Sequence, residues 1–222
     1  MSTVRTPIQH RGIQTKSRIM KAAFLLFARK GIHGTNSKEI VEKAGVSIGS
    51  FYSYFKNKKT LLLEMLEDYL ERHFSTIWRQ VDKISIHELG RDDIKLIVEN
   101  VFEAYDISPE FHRQTHALRY SDSDINRIYD RERNREIEQV RSLIENNMNR
   151  LHIGDPHAAA IVIHNAVENV AHTAKFIGPK IEEVRLIGEL TNMIYSFLVY
   201  GRVEKDGAGV SNVARFDHGE DR

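Results

Sequence analysis

Apolar residues recur at spacings of three and four along almost the whole chain, with no sustained period-two alternation, so the pattern predicts an all-α protein. Ile19, Ala23, Leu26 and Phe27 share one face of a first helix over residues 15–30, which Thr15 can cap and Gly31 stops. Asn36 with Glu39 three later has the form of a capping box and opens a short helix over residues 37–44. Gly45-Val46 turns the chain, Ser47 can cap a third helix over residues 48–55, and Asn57 can cap a fourth that runs to about Val81. That fourth helix carries a continuous stripe of Leu61, Leu62, Met65, Leu66, Tyr69 and Leu70. Beyond a loop near residues 85–90, five further helices are expected over 91–105, 108–120, 123–151, 155–177 and 179–200. Ser108-Pro109 and Asp155-Pro156 each place a capping residue before proline at the first helical position. Residues 1–14 read as a flexible basic arm and residues 202–222, glycine-bearing and poor in apolar groups, as a mobile tail.

Charge divides the chain. Residues 1–60 carry twelve Lys/Arg against two Asp/Glu, while the remainder carries twenty against twenty-nine, so a net charge of only +1 hides a basic head on an acidic body. A local cationic module suits a polyphosphate, because neutralising phosphates drives non-specific DNA affinity. A membrane-surface helix would share the asymmetry but would need large exposed apolar residues, whereas the spacings here fit a packed miniature core. With 222 residues, 41% of them apolar, the chain can bury a real core without staples. There is no cysteine, which excludes disulfides, thiol nucleophiles, iron–sulfur clusters and thiolate-bound zinc. No apolar run approaches the roughly 18 residues that span a bilayer, and the N-terminus is polar, so a cytoplasmic protein with no membrane association is expected.

Three short helices with a tight Gly-Val turn between the second and third have the form of a helix-turn-helix, whose third helix enters the major groove. Within residues 19–63, the succession Ala22-Ala23, Phe27, Gly31-Ile32, Thr35-Asn36, Ile40, Ala44-Gly45-Val46-Ser47, Gly49, Phe51-Tyr52, Tyr54-Phe55, Lys58 and Leu61 resembles the TetR family of bacterial transcriptional regulators. The resemblance implies a helix-turn-helix DNA-binding domain, placed at 15–60, and a C-terminal helical ligand-binding and dimerisation domain, placed at 61–201. It also implies a homodimer whose last two long helices pair with their mates, a pseudo-palindromic operator, and a small-molecule effector.

Helical spacing turns Ile40, Phe51 and Phe55 inward and leaves Ile48, Gly49, Tyr52 and Ser53 on the opposite side. Gly49 lets backbone approach DNA, and Ile48, Ser50 and Ser53 are placed to read base edges or thymine methyls, beside Ser47 at the helix start. Tyr52, Tyr54 and Lys58 match family positions that contact phosphate, and Thr35, Asn36, Ser37 and Lys38 open the second helix, where free backbone N–H groups favour phosphate. Lys59 departs from the family, which has an acidic residue there; the extra cation adds phosphate attraction.

Gly45-Val46-Ser47-Ile48-Gly49 also fits the Gly-x-Ser-x-Gly pattern of serine hydrolases, but that elbow needs a preceding strand and the pattern predicts a helix instead. The expected function is therefore non-enzymatic: a ligand-responsive regulator, a repressor released by a small apolar or amphipathic effector. The alternatives are a DNA-binding protein of the same fold without a ligand, or a hydrolase acting through Ser47. Candidate effector contacts are Phe102, Tyr105, Phe111, His116, Tyr129, Asn165, Glu168, Asn169 and His172, large aromatics and a polar stripe on an otherwise apolar helix, a stripe that equally fits a solvated face or a contact across a subunit interface. His112 and His116 have a metal-compatible spacing, but no third ligand is fixed by sequence, so neither metal nor cofactor is expected. The charged run over residues 130–136 reads as a solvated face.

Overall fold

The computed structural model describes residues 5–80, 89–178 and 181–201, which form nine α-helices and no strand among the described residues. They are α1 (Arg5–Lys30), α2 (Ser37–Ala44), α3 (Ile48–Tyr54), α4 (Lys58–Trp78), α5 (Arg91–Asp106), α6 (Pro109–Leu118), α7 (Ser123–Glu145), α8 (Pro156–Phe176) and α9 (Glu183–Tyr200). The expected tail over 202–222 and most of the expected loop over 85–90 lie outside the described residues.

Local chemistry explains most boundaries. Asn36 and Glu39 make the reciprocal capping box of α2, and Gly45 ends that helix at φ 61°, a left-handed conformation that glycine adopts without strain. Ser47 Oγ accepts from Ser50 N at 3.1 Å to start α3, and Asn57 with Thr60 caps α4 in the same reciprocal way. Three boundaries differ from the sequence expectation by four residues or more. Helix α1 begins ten residues early, at Arg5, so the expected arm is helical from there onward; Thr15 is no cap, because its hydroxyl donates to the Arg11 carbonyl from inside the helix. Helix α7 stops at Glu145 rather than 151. Beyond it Asn147 donates to the Leu143 carbonyl and accepts from Leu89 N, and the chain runs on to bury Leu151 and Ile153. The last helix starts at Glu183, not at Pro179, which lies outside the described residues.

Two apolar cores result. The upper one gathers Ile19, Ala23 and Phe27 of α1, Ile40 of α2, Phe51 and Phe55 of α3 and the first half of α4, and takes in Phe111, Ile125 and Tyr129 from α6 and α7. The lower one joins α5, α8 and α9 to the end of α4 and the second half of α7. Helix α4 runs through both, so the head is packed on the body along a shared helix. Polar stitches reinforce this: Gln114 of α6 donates to the Phe27 carbonyl and accepts from Ile32 N, and Lys59 pairs with Asp122 and Asp124 at the start of α7.

Candidate nucleic-acid interface and interior cavity

Helix α3 is amphipathic over only seven residues. Phe51 and the flanking Phe55 are buried to 0% and 2% exposure, and on the other side Ile48 is 46% and Tyr52 57% exposed, with Gly49 and Ser53 open beside them. The helix therefore presents small and hydroxylated groups outward from a rigid anchor. Arg18 of α1 secures the turn before it, donating through Nη2 to the carbonyls of Ala44 (2.6 Å) and Gly45 (2.8 Å). This clamp was not anticipated, because nothing local ties position 18 to a turn 26 residues away.

The other expected contacts divide. Asn36 is exposed but occupied as a cap, Ser37 is half-buried, and Lys38 is exposed beside them. Thr35 is 2% exposed and its hydroxyl donates to the Gly31 carbonyl, so only its backbone can meet a phosphate. Lys58 donates to the carbonyls of Ile32 and Thr35, both at 2.6 Å, which commits its ammonium to holding α4 against the segment before α2. Lys59 is likewise engaged, at 2.9 Å from Asp122 and 2.6 Å from Asp124, rather than free for phosphate. Tyr54 is 38% exposed, and its hydroxyl lies against α1, where a Cβ on Gly12 would stand 3.4 Å away. Ser47 and Ser50 share a hydroxyl contact of 2.9 Å; the element before Ser47 is helix α2, not the strand that a nucleophile elbow requires.

In the body, a cavity of about 310 Å³ opens between α4, α5, α6, α7 and α8. Seven of the expected effector contacts line it: Tyr105, His116, Tyr129, Asn165, Glu168, Asn169 and His172. Phe102 and Phe111 do not; at 2% and 1% exposure each is absorbed into a core, Phe102 into the lower and Phe111 into the upper. The sequence reading missed His73, Glu132, Glu136 and His164, and considered His112 only for metal. Two signals were present: His73 follows Tyr69 by one turn on the apolar stripe of α4, and His164 precedes Glu168 by one turn on the polar stripe of α8. The run over 130–136 is not simply a solvated face, since Glu136 is 7% exposed.

The cavity wall is polar and ionisable. Burial pushes the Glu136 carboxyl up to about 8, with the nearby Glu132 charge adding to it, and burial together with Glu136 pushes Glu168 up to about 7. Glu168 keeps some open surface where it lines the cavity and accepts from Tyr105 Oη at 2.8 Å. Burial lowers the imidazoles: His112 to about 2, aided by His73, and His116 and His164 to about 4, so they stand neutral. His112 Nδ1 meets Tyr69 Oη at 3.2 Å and its ring stacks on Phe176. Both ring nitrogens of His73, Nε2 of His112 and Oε1 of Glu132 are buried without a hydrogen-bond partner. Among the described residues no group of three or more His, Asp or Glu converges as metal ligands, and no helix is long and apolar enough to cross a membrane.

Residues 19–65 match the family described as bacterial regulatory proteins, tetR family. A Bacillus subtilis protein named as an uncharacterized HTH-type transcriptional regulator, YuxN, is 36% identical over 89 residues, 40% of this chain and 31% of that protein. The chain spans about a third to a half of the lengths of the curated relatives it matches first. A putative TetR-family transcriptional regulator from Mesorhizobium loti superposes with a TM-score of 0.72 at 21% identity, covering 84% of this chain and 96% of that one. The regulator FadR from Bacillus subtilis, solved in complex with stearoyl-CoA, superposes at 0.65 with 20% identity, covering 81% and 97%. At these identities the likeness is one of fold.

Proposed function

The head of this chain, residues 19–65, belongs to the TetR family of bacterial regulatory proteins, and on that footing we propose that the protein is a homodimeric, ligand-responsive repressor. It binds a pseudo-palindromic operator through α3 and releases it when a small amphipathic molecule fills the interior cavity. The observation that carries the DNA-binding part is the split of α3, with Phe51 and Phe55 buried and Ile48, Gly49, Tyr52 and Ser53 turned out of a strongly basic head. Tyr52 reaches phosphate; Ile48, Ser50 and Ser53 face base edges; Lys38 and the first N–H groups of α2 add backbone contacts.

Dimerisation is supported by apolar side chains left open on the last two helices: Val162 on α8, and Val184, Met193, Phe197 and Tyr200 on α9. A two-fold pair formed there presents two α3 helices to half-sites separated by a whole number of helical turns. The response route is short. Helix α6 supplies His112 and His116 to the cavity and Gln114 to the Phe27 carbonyl; helix α7 supplies Tyr129 and Glu136 to the cavity and, through Asp122 at its start, holds Lys59. A ligand that shifts α6 or α7 therefore moves the head's supports, provided that it binds the DNA-incompetent arrangement more tightly. The structural neighbour FadR from Bacillus subtilis was solved in complex with stearoyl-CoA, itself an amphipathic molecule, which supports this reading.

The test is selection of duplexes from a random pool by the full chain at low salt, followed by gel shift. A recovered site with inverted half-sites is the expected result. Retention of no duplex would overturn the proposal.

A further inference from the structure

The cavity has an apolar annex. A chamber of about 70 Å³ lies beside it, walled by residues such as Trp78, Val98, Leu143, Ile194 and Leu198, and Glu136, His164 and Glu168 line both spaces. Two carboxyls thus stand at the boundary between a polar cavity and a hydrocarbon one. Such groups are costly to bury unless a cation compensates them. Among the described residues neither forms an ion pair with lysine or arginine. The ion-pair contacts of Glu136 are imidazoles, His73 Nδ1 at 3.7 Å and His164 Nδ1 at 3.5 Å, and Glu168 has the Tyr105 hydroxyl. Two guanidiniums line the polar cavity as well, Arg119, which pairs with Asp130, and Arg133, which donates to Asn165 Oδ1, while Arg135 pairs with Glu71.

The wall also holds unused hydrogen-bonding capacity. Glu132 Oε1, an acceptor, and the His73 ring, which when neutral offers one acceptor nitrogen and one N–H, make no hydrogen bond. Burial depresses the imidazoles and raises the carboxyls, the response of ionisable groups taken out of water. An anionic ligand at this wall would meet three carboxyls, Glu132, Glu136 and Glu168, while the two guanidiniums of the cavity are held by Asp130 and Asn165. A metal ion lacks a convergent ligand set.

We propose that this shared wall binds an organic ammonium ion bearing a hydrocarbon group, with the ammonium seated between Glu136 and Glu168 and the hydrocarbon directed into the chamber beside Trp78. The proposal rests on the reading of the cavity as an effector site and narrows the effector to a class: an alkyl or arylalkyl amine rather than a fatty acid, sugar or anion. Carboxylates supply the charge-assisted contacts, neutral imidazoles accept further N–H bonds, and burial of the hydrocarbon beside Trp78 adds the apolar share.

Trp78 is the chain's single tryptophan, so its emission reports directly on the chamber. The full chain is titrated with primary n-alkylamines from propyl to octyl and with the n-alkanols and n-alkanoates of matching length, following Trp78 fluorescence and heat release. The amines are expected to saturate and to perturb Trp78 emission, with the matched alkanols and alkanoates weaker by about tenfold or more. Glu136→Gln and Glu168→Gln should each weaken the amines by about tenfold and leave alkanol affinity within roughly twofold. The proposal is overturned if alkanoates or alkanols bind as tightly as amines, if no amine saturates, or if both glutamine variants bind amines like the parent. Should a variant not fold, the comparison of amine with alkanol on the parent protein still decides. A separate gel shift with the selected duplex distinguishes the two readings. Amine binding that leaves DNA bound overturns the effector assignment and keeps the site; DNA release by a non-amine, with no amine bound, overturns the site and keeps the regulator.

Discussion

Glu136 makes stability depend on pH in a direction opposite to the usual carboxylate. Its folded value, about 8, lies above the ordinary carboxyl range, so the folded chain keeps the proton while the unfolded chain loses it. Its contribution is intact below about pH 4.5 and is lost as pH rises toward 8. Glu168 behaves alike up to about 7. His112, His116 and His164 have depressed values, so their contribution is intact above about pH 6.5 and is lost on acidification. The cluster is thus pressed from both sides. Glu136→Gln should melt increasingly above the parent as pH is raised from 4.5 to 8, with a constant gap beyond; melting curves across that range test it, and a gap independent of pH would contradict the burial argument. Two glycines separate stability from recognition. Gly45 stands at φ 61°, and an added Cβ would come within 2.8 Å of Arg18 Nη2, so Gly45→Ala should destabilise by about 1–2 kcal/mol in denaturant titration. At Gly49 an added Cβ meets only Ser47 Oγ at 3.8 Å. Gly49→Ala should therefore gain about 0.5–1 kcal/mol of helix stability while weakening binding to the selected duplex, a combination that gel shift and melting together would reveal.

At the scale of elements, α3 is fixed by what it buries and useful for what it leaves bare. Seven residues cannot hold a helix by propensity alone, so the Ser47 cap, the Phe51–Phe55 ring pair and the Arg18 clamp on the preceding turn do so together. Helices α6 and α7 are the joints. Asp122 caps α7 by accepting from Asp124 N and Ile125 N, and it also pairs with Lys59. Asp122→Ala should cost about 1 kcal/mol through the lost cap and should loosen the coupling between cavity and head. The coupling is read as the ratio of effector affinities with and without bound duplex; a ratio equal to the parent's would show that this joint carries no signal. The charged start of α4 divides its labour in a way that charge alone does not reveal. Lys58 is drawn to carbonyls of its own head and Lys59 to α7, whereas Lys38 stays exposed.

At the scale of the whole molecule, the open apolar face of α8 and α9 and the basic head each carry a prediction. Val184→Glu combined with Phe197→Glu should convert a dimer to monomer in sedimentation and abolish tight binding to the full inverted site. Binding of the parent should fall steeply with added salt, the slope reporting the phosphates neutralised. The sequence by itself determined the helical class, the caps of α2, α3 and α4, and the inward and outward faces of α3. All of these depend on residues within a turn or two of one another, where spacing is geometry. It also placed the polar stripe of α8 that faces the cavity. Only the tertiary structure decided that Glu136, His73 and His164 join that stripe, that Phe102 and Phe111 withdraw into cores, and that Lys58, Lys59 and Arg18 serve as internal clamps. Those outcomes turn on which helices cross at a given depth and on which distant carbonyl or carboxylate a long side chain finds there. A linear pattern records the periodicity of each helix but not the rotation that brings its neighbours' polar groups to the same buried wall.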